Sequence, residues 1–325
     1  MNKSAIDYCD FSWNPVTGCR MGCEYCYAAR QAQRFSGDVR LNKADPQMKH
    51  EDNGGYLLEV PFKNRAKGRV IPCPAGFEPT LHRYRLPMPE QKKKPANILT
   101  CSMADLMAPW IPDTWIMDVF SACEAAPWHN YLFLTKYPRR YEFMSSTGQL
   151  PHSKNFWYGT TVTQQSDLER MVFLPRKRYN QFLNIEPVLE AIDINDIDFM
   201  DWIIIGAETG NRWDKVKPER KWVEAIVSTA RAAGIPVFMK GSKELAEVWG
   251  EDLIQEYPAG LTRPADLPIP HCEECEHHEA EERHYDSVKD VTMMNHTCKH
   301  GKTPQRVPGR YARTSPPWCP LRGEQ

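Results

Sequence analysis

From residue 96 onward the chain alternates short apolar runs with segments of helical composition. The runs lie at 97–101 (NILTC), 131–135 (YLFLT), 156–162 (FWYGTTV), 181–185 (QFLNI), 202–206 (WIIIG) and 236–239 (PVFM). Each is short, apolar on both faces and bounded by turn residues, which is the pattern of buried parallel strands joined by crossover helices. The intervening sequence predicts helices over 111–126, 139–145 and 166–174, the last with Ser166 as N-cap. A strongly amphipathic helix is predicted over 218–233, closed by Gly234. Upstream, 7–14 reads as a first strand and 27–35 (YAARQAQRF) as a helix of good helix formers. Seven strands with crossover helices predict an α/β fold, a partial (β/α)6-7 TIM-like barrel over residues 1–257.

Two regions break this rhythm. Residues 38–96 form the least regular part, a basic, Pro-rich stretch that reads as an insertion or long functional loop. Beyond Lys240 the alternation stops, prolines at 258, 264, 268 and 270 mark a linker over 258–270, and residues 271–325 form a cysteine-rich extension.

Composition sharpens the picture at a few points. A hydrophobic content of 41% supports a sizeable core, and ten Trp with 27 Pro fit a loop-rich α/β protein better than a helical bundle. The net charge of −1 does not by itself predict nucleic-acid binding. Basic stretches at 63–69, 83–94 and 306–313 could still meet phosphates, although solvated loops are the plainer reading. No apolar run reaches the length of a membrane span, and the N-terminus lacks an apolar signal region, so a cytoplasmic protein without membrane contact is expected. Eleven cysteines in a reducing compartment argue for metal or cofactor ligands over disulfides.

The chemistry concentrates where the first strand turns into the first helix. Cys19, Cys23 and Cys26 stand at C-x3-C-x2-C spacing, and Gly18 and Gly22 let the loop wrap closely. Thiolates clustered this tightly select zinc, copper(I) or an iron–sulfur cluster. Zinc and a [4Fe–4S] cluster both take four ligands, so the fourth place is either open or filled by a distant residue such as Cys9. In β/α barrels reactive residues gather at the carboxyl ends of the strands. Here those ends carry Ser102 and Asp105, Lys136, Thr161, Glu186, Glu208 and Lys240, a polar rim around one opening. The extension carries a second set, Cys272, Cys275, Cys298 and Cys319, opened by a C-x2-C pair, which could hold zinc or an auxiliary iron–sulfur cluster. His271, His277, His278, His296 and His300 lie near it and leave a mixed ligand set open. Cys73, Cys101 and Cys123 are isolated and read as small buried side chains. His82 could touch a substrate, but a satisfied local hydrogen bond is the plainer reading. Tyr25, Tyr27, Trp110, Trp128 and Trp157 could stack on a base; core packing is the commoner role of such residues.

The cysteine spacing with an aromatic, Tyr25, just before the last cysteine resembles the radical S-adenosylmethionine enzymes. The wider chain looks like a phage-associated branch of them over roughly residues 4–241. The resemblance rests on WNPVTGC (13–19), GFEPTLH (76–82), SMADL (102–106), LTK (134–136), NIEP (184–187) and GAETG (206–210), with Ala207 where a second glycine is expected. It implies a [4Fe–4S] cluster held by Cys19, Cys23 and Cys26, whose open iron binds S-adenosylmethionine. Reductive cleavage would then give a 5′-deoxyadenosyl radical that abstracts hydrogen from the substrate. Tyr25, Ser102, Asp105, Lys136, Thr161, Glu186, Glu208 and Lys240 would be the cofactor-binding set. The resemblance further implies an electron donor such as flavodoxin or ferredoxin, and a host-cell cytoplasmic location if phage-encoded. The substrate it suggests is DNA carrying an aminoacyl-modified thymine, which the enzyme would isomerise. Within the enzyme class the alternative substrate is a peptide or a free nucleotide. Outside it, the alternative is a non-enzymatic zinc-bound nucleic-acid-binding protein that uses both cysteine groups structurally.

Overall fold

A computed structural model describes residues 1–64, 68–175, 178–209, 215–250 and 252–261, together with the backbone strands 278–286, 291–298 and 305–307. The chain divides into two units, Met1–Leu261 and Thr262–Gln325. The first unit opens with β1 (Asn2–Lys3), β2 (Phe11–Trp13), β3 (Val16–Thr17), α1 (Tyr27–Arg34) and α2 (Val39–Lys43). It continues through β4 (Lys49–His50), β5 (Tyr56–Leu58), β6 (Thr80–His82) and α3 (Met88–Gln91). The alternating part is β7 (Asn97–Thr100), α4 (Asp113–Glu124), β8 (Asn130–Thr135), α5 (Arg139–Ser146), β9 (Phe156–Val162), β10 (Asn180–Ile185), β11 (Trp202–Ile205), α6 (Arg220–Ala232), β12 (Val237–Met239) and α7 (Lys243–Trp249).

The main sheet has eight strands in the order β1-β2-β7-β8-β9-β10-β11-β12. β1 is an antiparallel edge on β2, and every other pairing is parallel. Strand order thus follows chain order from β2 onward, as short crossovers dictate. Among the described residues no pairing joins the two edges, so the sheet is open. One face packs on the helices through Trp115, Ile116, Val119 and Phe120 of α4, Tyr141 and Met144 of α5, and Val223, Ile226, Val227 and Ala230 of α6. The α6 residues recur at helical spacing, and the helix stops at Gly234, whose φ of +69° an L side chain resists. Each fully buried Val, Ile, Phe or Met side chain among these contributes about 1.5–3 kcal/mol. The opposite face carries its own cluster of Leu99, Leu132, Trp157, Phe182, Trp202, Ile204 and Phe238, to which Tyr8, Cys9 and Leu261 add. The segment before β2 reaches across to the far edge. Gly241 N donates to Asp7 Oδ2 at 2.5 Å, and the Tyr8 ring stands edge-on to Trp202 and Phe238.

Three details depart from the sequence expectations. Residues 38–96 are not one irregular loop: they contribute β4, β5 and β6 to a four-stranded sheet of order β3-β6-β5-β4, with a small core of Met48, Leu58, Phe62, Ile71 and Ala75. The segment 166–174 is a 3-10 helix, Gln165–Phe173, with no side-chain cap. Ser166 Oγ instead accepts from Gln164 Nε2 at 2.9 Å. Order also continues past Lys240, where Ser242 caps α7 and Ala259–Leu261 forms a 3-10 turn that buries Leu261.

The second unit shows an antiparallel sheet of β13 (His278–Asp286), β14 (Val291–Cys298) and β15 (Gln305–Val307). Cys298 is the last residue of β14; Cys272, Cys275 and Cys319 lie outside the described residues, and the expected metal site of the extension with them.

Candidate functional site

The cysteine loop is fixed by backbone contacts before any side chain is considered. Gly18 N donates to Met103 O at 2.8 Å and Cys19 N to Phe77 O at 3.0 Å, so the loop is stitched to the segment after β7 and to the turn before β6. Gly18 has φ +92°, and a Cβ there would meet Glu78 O at 2.1 Å. Arg20 spans the loop's outer side, pairing with Glu78 at 3.3 Å and donating to Gly54 O at 2.8 Å. Cys26 caps α1, its Sγ accepting from Ala29 N at 3.4 Å, so the positive end of the helix faces that sulfur. Cys19 Sγ accepts from Met21 N at 3.5 Å. Burial pushes the Cys19 thiol up to about 11, partly opposed by this Met21 bond.

All three cysteines line one cavity of about 220 Å³, and the predicted rim residues Tyr25, Ser102, Asp105, Lys136, Thr161, Glu186, Glu208 and Lys240 line it with them. The strands explain the convergence. Asp105 Oδ1 accepts from Thr135 Oγ1 at 2.5 Å and Met107 N at 3.2 Å, while Oδ2 accepts from Lys136 N at 2.8 Å. Asp105 therefore clamps the end of β8 to the segment after β7. Burial raises its carboxyl above the ordinary value, and these same donors pull it back. The Lys136 ammonium sits over the Tyr25 ring at 5.6 Å. Burial and the nearby Cys23 raise the Tyr25 phenol, opposed by its interaction with Thr163, whose own hydroxyl donates to Asp167 Oδ2 at 2.9 Å. Glu186 and Lys240 form a short ion pair at the far wall, with Lys240 over the Tyr8 ring at 5.9 Å. Gly206 is required there, because a Cβ would meet Glu186 Cγ at 2.9 Å and Lys240 Cδ at 3.1 Å. The peptide Glu186-Pro187 is cis. Ser102 offers its carbonyl to Tyr27 OH at 3.0 Å and its hydroxyl to Asn14 Oδ1 at 3.2 Å. Ala207 is buried in the helix-side core, so its methyl is accommodated.

Other candidates fall elsewhere. Cys9 is buried in the sheet's inner cluster, where its Sγ donates to Ser4 Oγ at 3.3 Å and Ile6 O at 3.5 Å; burial pushes it up to about 11. It does not line the cavity. His82 is fully buried between Thr17 Oγ1, at 2.8 Å from Nε2, and the Tyr84 hydroxyl, so its role is structural. Cys73 and Cys123 are buried as expected, whereas buried Cys101 also touches the cavity wall. Trp110, Trp128 and Trp157 are not part of the wall: Trp110 packs on Tyr137, Trp128 Nε1 donates to Lys92 O, and Trp157 belongs to the inner cluster. The basic run 83–94 is largely consumed internally. Arg83 pairs with Glu59, Arg85 donates to Asn14 O and Pro72 O, and Lys92 and Lys93 sit over the rings of Phe11 and Trp128. Sequence reading missed Tyr8, Arg30 and Asn184 as wall residues. Only Asn184 left a readable sign, as a polar residue within the apolar stretch Phe182–Ile185.

Among the described residues no group of three or more His, Cys, Asp or Glu side chains is placed to hold a single metal ion. The seven cysteines of the first unit (Cys9, Cys19, Cys23, Cys26, Cys73, Cys101 and Cys123) are free thiols. An iron–sulfur cluster takes one thiolate per iron; the loop brings three thiols to this cavity, Cys101 reaches its wall from the end of β7, and Cys9 points away to Ser4 and Ile6. No helix among the described residues is long and apolar enough to cross a membrane. No curated protein and no solved structure matches the chain. Residues 3–290 do match a recognised protein family, and the chain belongs to it: the family described as "Protein of unknown function (DUF5131)".

Proposed function

We propose that this protein is a radical S-adenosylmethionine enzyme built on a partial β/α barrel, with a [4Fe–4S] cluster held by Cys19, Cys23 and Cys26. The observation that supports this most is their shared cavity: three thiols from one loop face Lys136, Thr161, Glu186, Glu208 and Lys240, which arrive from separate strands. When bound, the cluster and S-adenosylmethionine supply one-electron chemistry that removes hydrogen from a substrate carbon. The chain's own residues do the positioning. Lys136 offers positive charge to a carboxylate and Glu208 an acceptor to ammonium or hydroxyl groups, while Glu186 and Lys240, already paired with each other, would meet a ligand by exchanging that pair. Asp105 already serves Thr135, Lys136 and Met107, so it orients the rim. Ile6, Tyr8, Leu99 and Leu134 give the cavity an apolar floor that excludes water.

The substrate we propose is a modified thymine in DNA, a reading that rests on the sequence resemblance. A cavity of this size admits a nucleoside and not a duplex, so the base would be flipped out. Phosphates would then meet the exposed Arg30 on the cavity wall, with Arg34 one turn further along α1, in place of the internally paired 83–94 run. A separate protein supplies the electron, and the free thiols fit a cytoplasmic setting.

Anaerobic reconstitution with iron and sulfide tests the enzyme. The expected result is a brown protein that releases 5′-deoxyadenosine from S-adenosylmethionine under reductant, an activity absent in Cys23→Ala. A colourless zinc protein that leaves S-adenosylmethionine intact overturns the proposal. Salt-sensitive binding of thymine-containing DNA is expected; no binding at low salt overturns the DNA substrate.

A further inference from the structure

We infer that Asn184 reads the edge of a nucleobase on the cavity floor. The inference rests on the reading of this cavity as a nucleoside-binding site. Asn184 lies on β10 between Phe182, which belongs to the apolar inner cluster, and Glu186 at the rim. It is 2% exposed and still lines the cavity. Its Nδ2 makes one long hydrogen bond, 3.4 Å, to Glu186 Oε2. That acceptor fixes which way the amide faces, and it leaves Oδ1 buried with no donor. Native proteins rarely leave such an oxygen unpaired. No group on the wall bonds it: Leu99 and Leu134 are hydrocarbon, and neither the hydroxyl of Thr161, paired with Asn184 across β9 and β10, nor that of Thr100 donates to it.

The missing partner is therefore a ligand group, and the amide defines its chemistry. Oδ1 accepts and Nδ2 donates side by side, which complements an edge with N–H next to a carbonyl or ring nitrogen. Pyrimidine imides and the amino edge of adenine both carry that pair, and Asn is a common reader of such edges. An uncharged amide in an apolar floor disfavours a charged group at this depth. A flat heterocycle lying on these apolar side chains would present its polar edge to the amide. Two sources share this chemistry: the substrate base and the adenine of S-adenosylmethionine.

The test uses the full chain, reconstituted anaerobically, in calorimetric titrations with thymidine and, separately, with unreactive S-adenosylhomocysteine. Asn184→Leu should weaken one of the two at least tenfold and leave the other within twofold; the ligand that weakens is the one whose base is read. Asn184→Asp, which has no donor, should weaken the same ligand. Because Asn184→Leu removes an unpaired buried oxygen, its thermal midpoint without ligand should equal or exceed that of the parent. If that variant fails to fold, Asn184→Ser serves in its place with the same expected loss. Unchanged affinity for both ligands in all variants overturns the role of Asn184 while leaving the enzyme reading intact. Failure of the parent protein to bind either ligand overturns the nucleoside-site reading itself.

Discussion

His82 closes the motif-like segment GFEPTLH yet serves the fold. Its ring is locked between Thr17 and Tyr84, and burial, with the nearby Arg85 charge, holds the imidazole well below its usual value of 6.5. The unfolded chain therefore takes up a proton below about pH 6.5 that the folded chain refuses, so this stability is complete above that pH and is lost as pH falls toward the folded value. The expected slope is up to about 1.4 kcal/mol per pH unit in that window. Urea midpoints measured between neutral and mildly acid pH should show it, and His82→Gln should flatten it; an equal slope in both proteins would refute this assignment. Cys9 makes the matching case for the metal. Because its thiol points at Ser4 and Ile6, Cys9→Ser should keep the full iron content of the reconstituted protein, whereas Cys19→Ser should not. Iron loss in Cys9→Ser would mean that the fourth ligand is a protein thiol after all. Neither side chain's direction was legible in the sequence, which places Cys9 ten residues from Cys19 and His82 in a motif-like segment.

Elements set the positions that residues exploit. The cysteine loop holds two glycines with positive φ, Gly18 at +92° and Gly22 at +75°, but only Gly18 is crowded, against the Glu78 carbonyl. Gly22→Ala should cost about 1 kcal/mol, the strain of its backbone alone. Gly18→Ala should cost about 3 kcal/mol or more, because the loop must also leave the Glu78–Pro79 backbone. Chemical denaturation of the two variants gives the comparison, and equal costs would show that the loop is not pinned there. The long buried strands β8, β9 and β10 were readable because apolar residues fill both faces, and α6 because its apolar positions recur with the helical period. The small sheet was not readable, since strands of two or three residues carry no period and their pairings bring together segments far apart in the chain. The 3-10 helix misled for a related reason: its composition suits a helix, but Asp167 turns back to hold Thr163 N and Oγ1.

At the scale of the whole molecule, the chain divides into two units. The proposed cluster site lies wholly within Met1–Leu261. A chain ending at Leu261 should therefore bind the same amount of iron at Cys19, Cys23 and Cys26 as the full chain does at that site. Any zinc or additional iron in the full-length protein should disappear with residues 262–325. Elemental analysis of both chains checks this. Loss of all iron on truncation would tie the first site to the extension.

The sequence by itself determined the donor set and the succession of strands. Three cysteines at that spacing are local chemistry, and apolar runs of strand length are a local pattern, so neither needs distant contacts to be read. Only the tertiary structure decided what faces the cavity. Parallel register aligns the strand ends, so that Lys136, Thr161, Glu186 and Lys240, far apart in the chain, reach one cavity. The same geometry turned Cys9 inward, spent the basic run on internal partners, and left Asn184 with an unpaired oxygen in an apolar floor. Those outcomes depend on which groups lie within hydrogen-bonding distance across the sheet, which spacing along a chain does not encode.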